Sequence, residues 1–576
     1  MATPNNEWSI RRCTGVVLAR IGTVLAFGCM LAACGGGGSG PSGSPGGPGA
    51  TPTTVMVSGK ITFDRIPFDA TRGAGLNPDA IVPSPARGVV VEAISGGAVI
   101  ASTATDEGGD YSLAVSANTQ MFIRVRAQMR KTGAAPTWNF RVLNNTNSDA
   151  LYALDGSTFN SGTADSTRNL RASSGWTGSA YTQTRAAAPF AILDTVYQAA
   201  NLIVSAASSA VFEPLDFYWS SSNTPTLGRY CIDDGDIGTT FYTSGGDDET
   251  ECTGSVLEGI YVLGRFETGD TDEFDQHVIT HEFGHYLEAK FSRSDSIGGS
   301  HANGDKLDLR VAFSEGWSNA FAGMVFDDPE YRDSFGGMAR DHGFNLEIDD
   351  TSFGDGGWFS ETSIGEVLWD AFDAANEPGD TVSLGFGPIF TALAGQQKTT
   401  PALTSIFSFA QALRQVAPAQ ASGINALLAG ERIFGSDAFG TGETNNGGDA
   451  SVLPIYRSLV LNQGPQSVCV SAVNGDFNTL GYYKFFRLDL SAAALVTFNV
   501  IGTPNGPATT AAVDPDIYVH RNGSIVASGI SAAASSETIS QVQLQSGTYV
   551  VEVYDYALES GSTPRCMTVS ATGTSL

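Results

Sequence analysis

The chain has 576 residues, enough for several domains, with 60 acidic against 31 basic residues and a net charge of −29. That balance excludes a nucleic-acid-binding face, which needs concentrated Lys and Arg, and suits a soluble secreted or surface protein. With only six His and seven Cys, the position of each is informative.

Residues 1–33 read as an export signal. Arg11, Arg12 and Arg20 precede an apolar run containing Val24-Leu25-Ala26-Phe27, and the segment ends in Leu31-Ala32-Ala33-Cys34-Gly35. This ending resembles a bacterial lipobox, which implies lipidation of Cys34 as the mature N-terminus. Gly35 stands where inner-membrane lipoproteins often carry Asp. The expected location is therefore the bacterial outer membrane or cell surface, with extracellular release as an alternative. Residues 34–54 are mostly Gly, Ser, Pro, Ala and Thr, a composition that buries no core and acts as a tether. No later stretch has the roughly 20 continuous apolar residues of a membrane-spanning helix.

Residues 55–150 read as short strands and turns. Val55 to Thr62 alternates, and 88–94 and 121–127 are further β-rich runs. Phe190 to Ala206 reads as a helix. The acidic stretches Asp233-Asp234-Gly235-Asp236 and Asp247-Asp248-Glu249 offer oxygen ligands for Ca²⁺ without matching an EF-hand loop. Four Cys remain besides Cys34 after the signal. In an exported chain they predict two local disulfides, Cys231–Cys252 and Cys469–Cys566.

Asp270-Thr271-Asp272-Glu273 has the side chains of a helix start, and apolar positions then recur at helical spacing to about Ser292. That helix carries His281-Glu282-Phe283-Gly284-His285, the pattern H-E-x-x-H. Residues four apart share a helix face, so His281 and His285 can hold one zinc ion, and Glu282 can act as general base on a zinc-activated water. His277, one turn earlier, is expected to pack in the core. A third ligand is needed. A His six residues after His285 would complete one known arrangement, but Phe291 stands there. Glu315 lies 30 residues after His285, in a stretch from Val311 to Phe326 that reads as a second, largely buried helix. Zinc would offset the cost of burying its carboxylate. The stretches 364–375, 403–416 and 423–434 also read as helical. Gly259 to Gly264 reads as a strand before the helix that carries H-E-x-x-H.

H-E-x-x-H followed by Glu315-Gly316-Trp317-Ser318-Asn319-Ala320-Phe321 resembles the fungalysin and thermolysin side of the gluzincin metallopeptidases. The resemblance implies His281, His285 and Glu315 as zinc ligands and Glu282 as general base, and it implies that the strand at 259–264 is an edge strand that pairs with extended substrate. Asn319 stands where the family has an aspartate that orients a ligand histidine, and its side-chain oxygen can still accept an imidazole N–H. Ser363-Ile364-Gly365-Glu366-Val367-Leu368-Trp369 resembles a further family segment, but Thr362 replaces its histidine. Tyr286, Tyr331 and His342 are candidates for that lost partner. Thr105 to Leu113 resembles the turn and strand of carboxypeptidase-regulatory-like sandwiches. Asp514 to Val519 and Ser546 to Tyr554 resemble the bacterial pre-peptidase C-terminal domain.

The expected architecture is multidomain, with an α+β zincin catalytic domain over residues 151–455. It is flanked by two all-β sandwiches over residues 55–150 and 464–576. The expected function is a surface-anchored zinc endopeptidase acting on proteins or peptides, with membrane contact only through the lipid anchor. Alternatives are an adhesion protein on a degenerate peptidase core and a zinc aminopeptidase.

Overall fold

The structure is a computed structural model. It describes residues 53–69, 75–225, 231–246, 256–267, 270–334, 342–349, 355–374, 381–503, 513–532, 535–559 and 564–576. The signal segment, Cys34, most of the tether, the acidic stretch 247–249 and Cys252 lie outside those residues. Among the described residues, no helix is long and apolar enough to cross a membrane.

The first part is built on alternation. Strand β1 (Thr54–Arg65) turns Val55, Val57, Ile61 and Phe63 inward. It is followed by β2 (Val89–Ser95), β3 (Ala98–Ala104), β4 (Asp110–Ser116), β5 (Gln120–Lys131) and β6 (Trp138–Asn144). On β5, Met121, Ile123, Val125, Ala127 and Met129 face the core, while Arg124 and Arg126 on the other face pair with Asp155 and Glu92. Asp106 accepts bonds from the backbone N–H groups of Gly108 and Asp110, which sets the turn into β4.

Helix α1 (Ala188–Ala206) begins with Pro189 at a position where a proline costs no intrahelical bond, and packs a buried face against this sheet. Strands β7 (Leu215–Trp219), β8 (Phe241–Thr243) and β9 (Gly259–Val262) then extend the same sheet. Its order is β8-β9-β7-β6-β5-β2-β3 within a ten-stranded whole, and β7 pairs parallel to β6. The expected division at residue 150 therefore falls inside one continuous sheet. Strand β9 is paired on both sides, to β7 and β8. This corrects the expectation that 259–264 forms the edge: the edge belongs to β8.

Helices α2 (Gln276–Phe291) and α3 (Leu309–Phe326) pack together under this sheet edge, and the antiparallel hairpin β10 (Glu330–Ser334) and β11 (Gly343–Glu347) lies beside them. Helices α4 (Glu361–Phe372), α5 (Phe386–Ala392), α6 (Ile406–Val416) and α7 (Ala421–Gly430) complete the region. Helix α2 starts later than the sequence suggests. Asp272–Phe274 forms a separate 3-10 turn, and Asp275 occupies the N-cap position without a side-chain cap bond. The acidic residues read as helix-capping groups are buried instead.

The C-terminal part is a two-sheet β structure with its own core, including Phe486, Phe498, Val551 and Val569. Its strands are β12 (Gln466–Val470), β13 (Lys484–Leu490), β14 (Ala494–Thr503), β15 (Pro515–Arg521), β16 (Ser524–Gly529), β17 (Ser536–Leu544), β18 (Gly547–Asp555) and β19 (Arg565–Ser575). One sheet runs β12-β19-β14-β17. The other runs β13-β18-β15-β16, with the short strand Tyr456–Ser458 beside β13. Cys469 and Cys566 sit directly opposite each other on β12 and β19 and form the expected disulfide. Cys231 is also disulfide-bonded; its expected partner, Cys252, lies outside the described residues.

This sandwich is tied to the helices. Arg310, at the start of α3, is 2% exposed and pairs with Asp308 and, at 3.0 Å, with Glu552 of β18. His520 of β15 lies 2.9 Å from the same carboxylate.

Candidate metal centre

Two close approaches of backbone make the site. Gly284 of α2 faces Ser318 of α3 so tightly that a Cβ there would lie 3.0 Å from the Ser318 Cα. A Cβ on Gly316 would lie 2.7 Å from both the Glu361 carbonyl oxygen and Ile364 of α4. Glycine at these positions lets three helices converge, and the convergence brings the ligand candidates together.

Nε2 of His281 lies 3.1 Å from Nε2 of His285. Oε2 of Glu315 lies 3.2 Å from the first and 3.3 Å from the second. The other ring nitrogens are tied back. Nδ1 of His281 is 2.8 Å from Oδ1 of Asn319, an acceptor, so Nδ1 holds the proton. The second histidine is held by a relay: Ser314 Oγ–H donates to Glu288 Oε2 at 2.7 Å, leaving Ser314 Oγ to accept from His285 Nδ1 at 3.0 Å. Ser318 Oγ is 3.1 Å from the same nitrogen. With both protons on Nδ1, the two Nε2 atoms turn lone pairs toward each other and toward a carboxylate oxygen. Such a donor set repels itself unless a proton or a metal cation sits among it: without metal, burial would lower His285 but Glu315 raises it to about 9, and among metals two imidazoles with one carboxylate suit zinc.

Glu282 is buried, and its Oε2 accepts the backbone N–H of Tyr242 on edge strand β8 at 2.7 Å. Burial first, and the nearby Glu315 charge, raise its pKa, while the two histidines oppose the rise. A carboxylate raised in this way is suited to taking a proton. Burial would also raise Glu315, but His285 and His301 hold it well below the usual carboxylate range.

The structure adds residues that the sequence did not reveal. His301, in the loop between α2 and α3, places Nε2 3.4 Å from Glu315 and 3.4 Å from Glu361, and its Nδ1 lies 3.1 Å from the Gly299 carbonyl oxygen. Glu361 opens α4 and is buried. Loop residues have no periodicity, so nothing local marked His301. Glu288 was findable, because it lies one helical turn beyond His285.

The three candidates for the lost family histidine separate. Tyr331 on β10 is buried, with its ring 5.9 Å from that of His281. Tyr286 is turned away and donates to the Glu213 carbonyl. His342 is exposed. Thr362 is buried, with its Oγ1 2.9 Å from Ser360 Oγ. His277 packs against Phe326 and Tyr331, as expected of a core residue. Asp233, Asp234 and Asp236 form no candidate metal cluster among the described residues.

No family model matches the chain, and no curated protein matches it. Among solved structures, the pre-peptidase C-terminal domain of a Bacillus anthracis collagenase aligns at 13% identity over 20% of this chain and 93% of its own, with a TM-score of 0.15. PliG, a periplasmic inhibitor of g-type lysozyme from Aeromonas hydrophila, aligns at 14% identity over 20% of this chain and 96% of its own, with a TM-score of 0.13. These are weak likenesses, too low to carry an argument.

Proposed function

We propose that this chain is a zinc-dependent endopeptidase of the gluzincin type, displayed on the bacterial surface through a lipidated Cys34. The single observation carrying this proposal is the meeting of His281 Nε2, His285 Nε2 and Glu315 Oε2 within 3.1–3.3 Å, with each histidine's other nitrogen committed elsewhere. Zinc bound there would polarise the scissile carbonyl and lower the pKa of water. Glu282 would take the proton of the attacking water and pass it to the leaving amine. Strand β8, at the sheet edge beside Glu282, would align an extended peptide through main-chain bonds. His301, with Nε2 3.4 Å from Glu315, and Tyr331, with its ring 5.9 Å from that of His281, would be the candidates to donate to the developing oxyanion.

A second reading, a zinc aminopeptidase, is favoured by Glu361, a buried carboxylate beside the site that could receive a substrate ammonium group. Cleavage of casein and of matched free and N-acetylated peptides, with metal analysis before and after chelation, tests both. Zinc-dependent cleavage of acetylated peptides supports the endopeptidase. Cleavage of free N-termini only supports the aminopeptidase. Bound zinc without cleavage of either favours an adhesion protein on an inactive core. Membrane fractionation of Cys34→Ser tests the anchor, and unchanged membrane association would refute it.

A further inference from the structure

The loop between α2 and α3 carries His301, and a residue of the C-terminal part holds that loop. Gly299 has φ +108°, and a Cβ there would lie 2.8 Å from Asn478 Nδ2 and 2.9 Å from Phe477 Cζ. Glycine thus lets the loop lie directly on the connection between β12 and β13. Asn478 is 3% exposed, and its Nδ2 donates to the Ser300 carbonyl oxygen at 2.8 Å. Its own carbonyl accepts the Asp308 N–H at 2.8 Å, and the Leu480 N–H donates to the Lys306 carbonyl at 2.8 Å.

These bonds grip both ends of one segment. The Ser300 carbonyl belongs to the peptide bond that ends at the nitrogen of His301, and that bond is planar. The Gly299 carbonyl lies 3.1 Å from His301 Nδ1. Asp308 caps α3 by accepting the Arg310 N–H, and α3 carries Glu315. Asn478 therefore fixes the backbone leading to each of two groups that meet at 3.4 Å, His301 Nε2 and Glu315 Oε2. The support is itself anchored, since Arg310 pairs with Glu552 and lies 4.8 Å from the centre of the Tyr483 ring. Ser300 is exposed, so water can replace a lost bond to its carbonyl. What the Asn478 amide supplies is direction more than stability.

We propose that Asn478 is a positioning residue of the metal centre. By holding the Ser300 carbonyl it aims His301 at Glu315 and Glu361, which makes the C-terminal sandwich a working part of the centre. The effect on hydrolysis rests on the peptidase reading; the positioning of the loop does not.

The test uses the full chain with zinc saturating, as Asn478→Ala, His301→Ala and the double variant. Gly299→Ala, which pushes the loop off Asn478 from the other side, stands in if Asn478→Ala does not fold. Amide hydrogen exchange reads the loop, and kcat and KM on one N-acetylated peptide read the reaction. In Asn478→Ala, exchange over residues 298–305 is expected to quicken about tenfold or more while that of β13 and β18 stays unchanged. kcat should fall roughly 10–100-fold at similar KM. In the His301→Ala background the same substitution should cost no more than about twofold further, because both changes remove one function. Unchanged loop exchange in a folded variant would overturn the proposal. So would a kcat loss that persists undiminished in the His301→Ala background, which would mark Asn478 as merely structural. If the parent cleaves no peptide, the peptidase reading fails and loop exchange alone decides: faster exchange upholds the positioning, and unchanged exchange overturns it.

Discussion

Gly284→Ala separates the stability of the helix pair from the precision of its metal centre. The new Cβ would lie 2.9 Å from Ser318 Oγ and 3.0 Å from Ser318 Cα, whereas carbon contacts favour roughly 3.5–4.0 Å. Helices α2 and α3 must therefore part by roughly 0.5–1 Å. Overpacking of this kind costs about 1–3 kcal/mol, and the better helix propensity of alanine returns about 1 kcal/mol. The net loss of stability is expected at roughly 0–2 kcal/mol. The ligand set is less forgiving, since metal–ligand distances tolerate only about 0.2 Å. The shift opens the 3.2 Å separation of His281 from Glu315 and displaces Ser318, which lies 3.1 Å from His285 Nδ1. Zinc affinity is expected to fall about 10–100-fold. Competition with a chromophoric chelator measures it, and thermal unfolding of the zinc-free protein measures the packing cost. Wild-type zinc affinity in a folded variant would refute the claim that the close helix approach sets the site.

Glu282→Gln is expected to retain zinc and lose roughly 10²–10⁴-fold in peptide hydrolysis; normal zinc content with undiminished hydrolysis would remove Glu282 as the base. Glu315→Ala is expected to lose zinc, as metal analysis of the folded variant would report. Joint replacement of Cys469 and Cys566 by Ser releases a closure of 97 residues and is expected to cost about 2–5 kcal/mol; denaturation followed by a probe in the C-terminal sandwich checks this. Burial alone would raise Glu552, but Arg310 and His520 hold it at about 2. A carboxylate depressed on folding stabilises fully above its unfolded value of about 4.3 and loses that contribution as pH falls toward 2. Glu552→Gln should therefore be destabilised near pH 6 and converge on the parent in acid, as parallel urea titrations would show.

The candidate metal ligands were legible because helical periodicity is local. H-E-x-x-H states its own geometry, and Glu315 was marked by a carboxylate within an apolar helix. Helices α1, α3, α4 and α6 also stood close to their expected positions, since each buries a face that repeats along the chain. The N-terminus of α2 was misread for a physical reason. Asp270, Asp272 and Glu273 have the composition of a cap, but tertiary packing buries them, and burial cannot be read from residue type. Strand β9 was taken for an edge on the family resemblance, and Phe241–Thr243, though strand-forming in composition, is only three residues long and too short to show an alternating pattern. His301 and Glu361 reach Glu315 from a loop and a distant helix, contacts that only the assembled fold creates.

The continuous sheet has a consequence for how such a chain could be held inactive. Strand β6 ends at Asn144, and its parallel neighbour β7 leads by way of β9 and β8 to the backbone N–H that holds Glu282. Excising the residues before 150 would strip β7 of a paired neighbour and expose the apolar core that α1 shares with β5 and β6. A detachable inhibitory prosegment must leave the remaining protein intact. The β-rich region 54–144 does not meet that condition: it is scaffold, retained for as long as the helices that carry the candidate ligands stay folded.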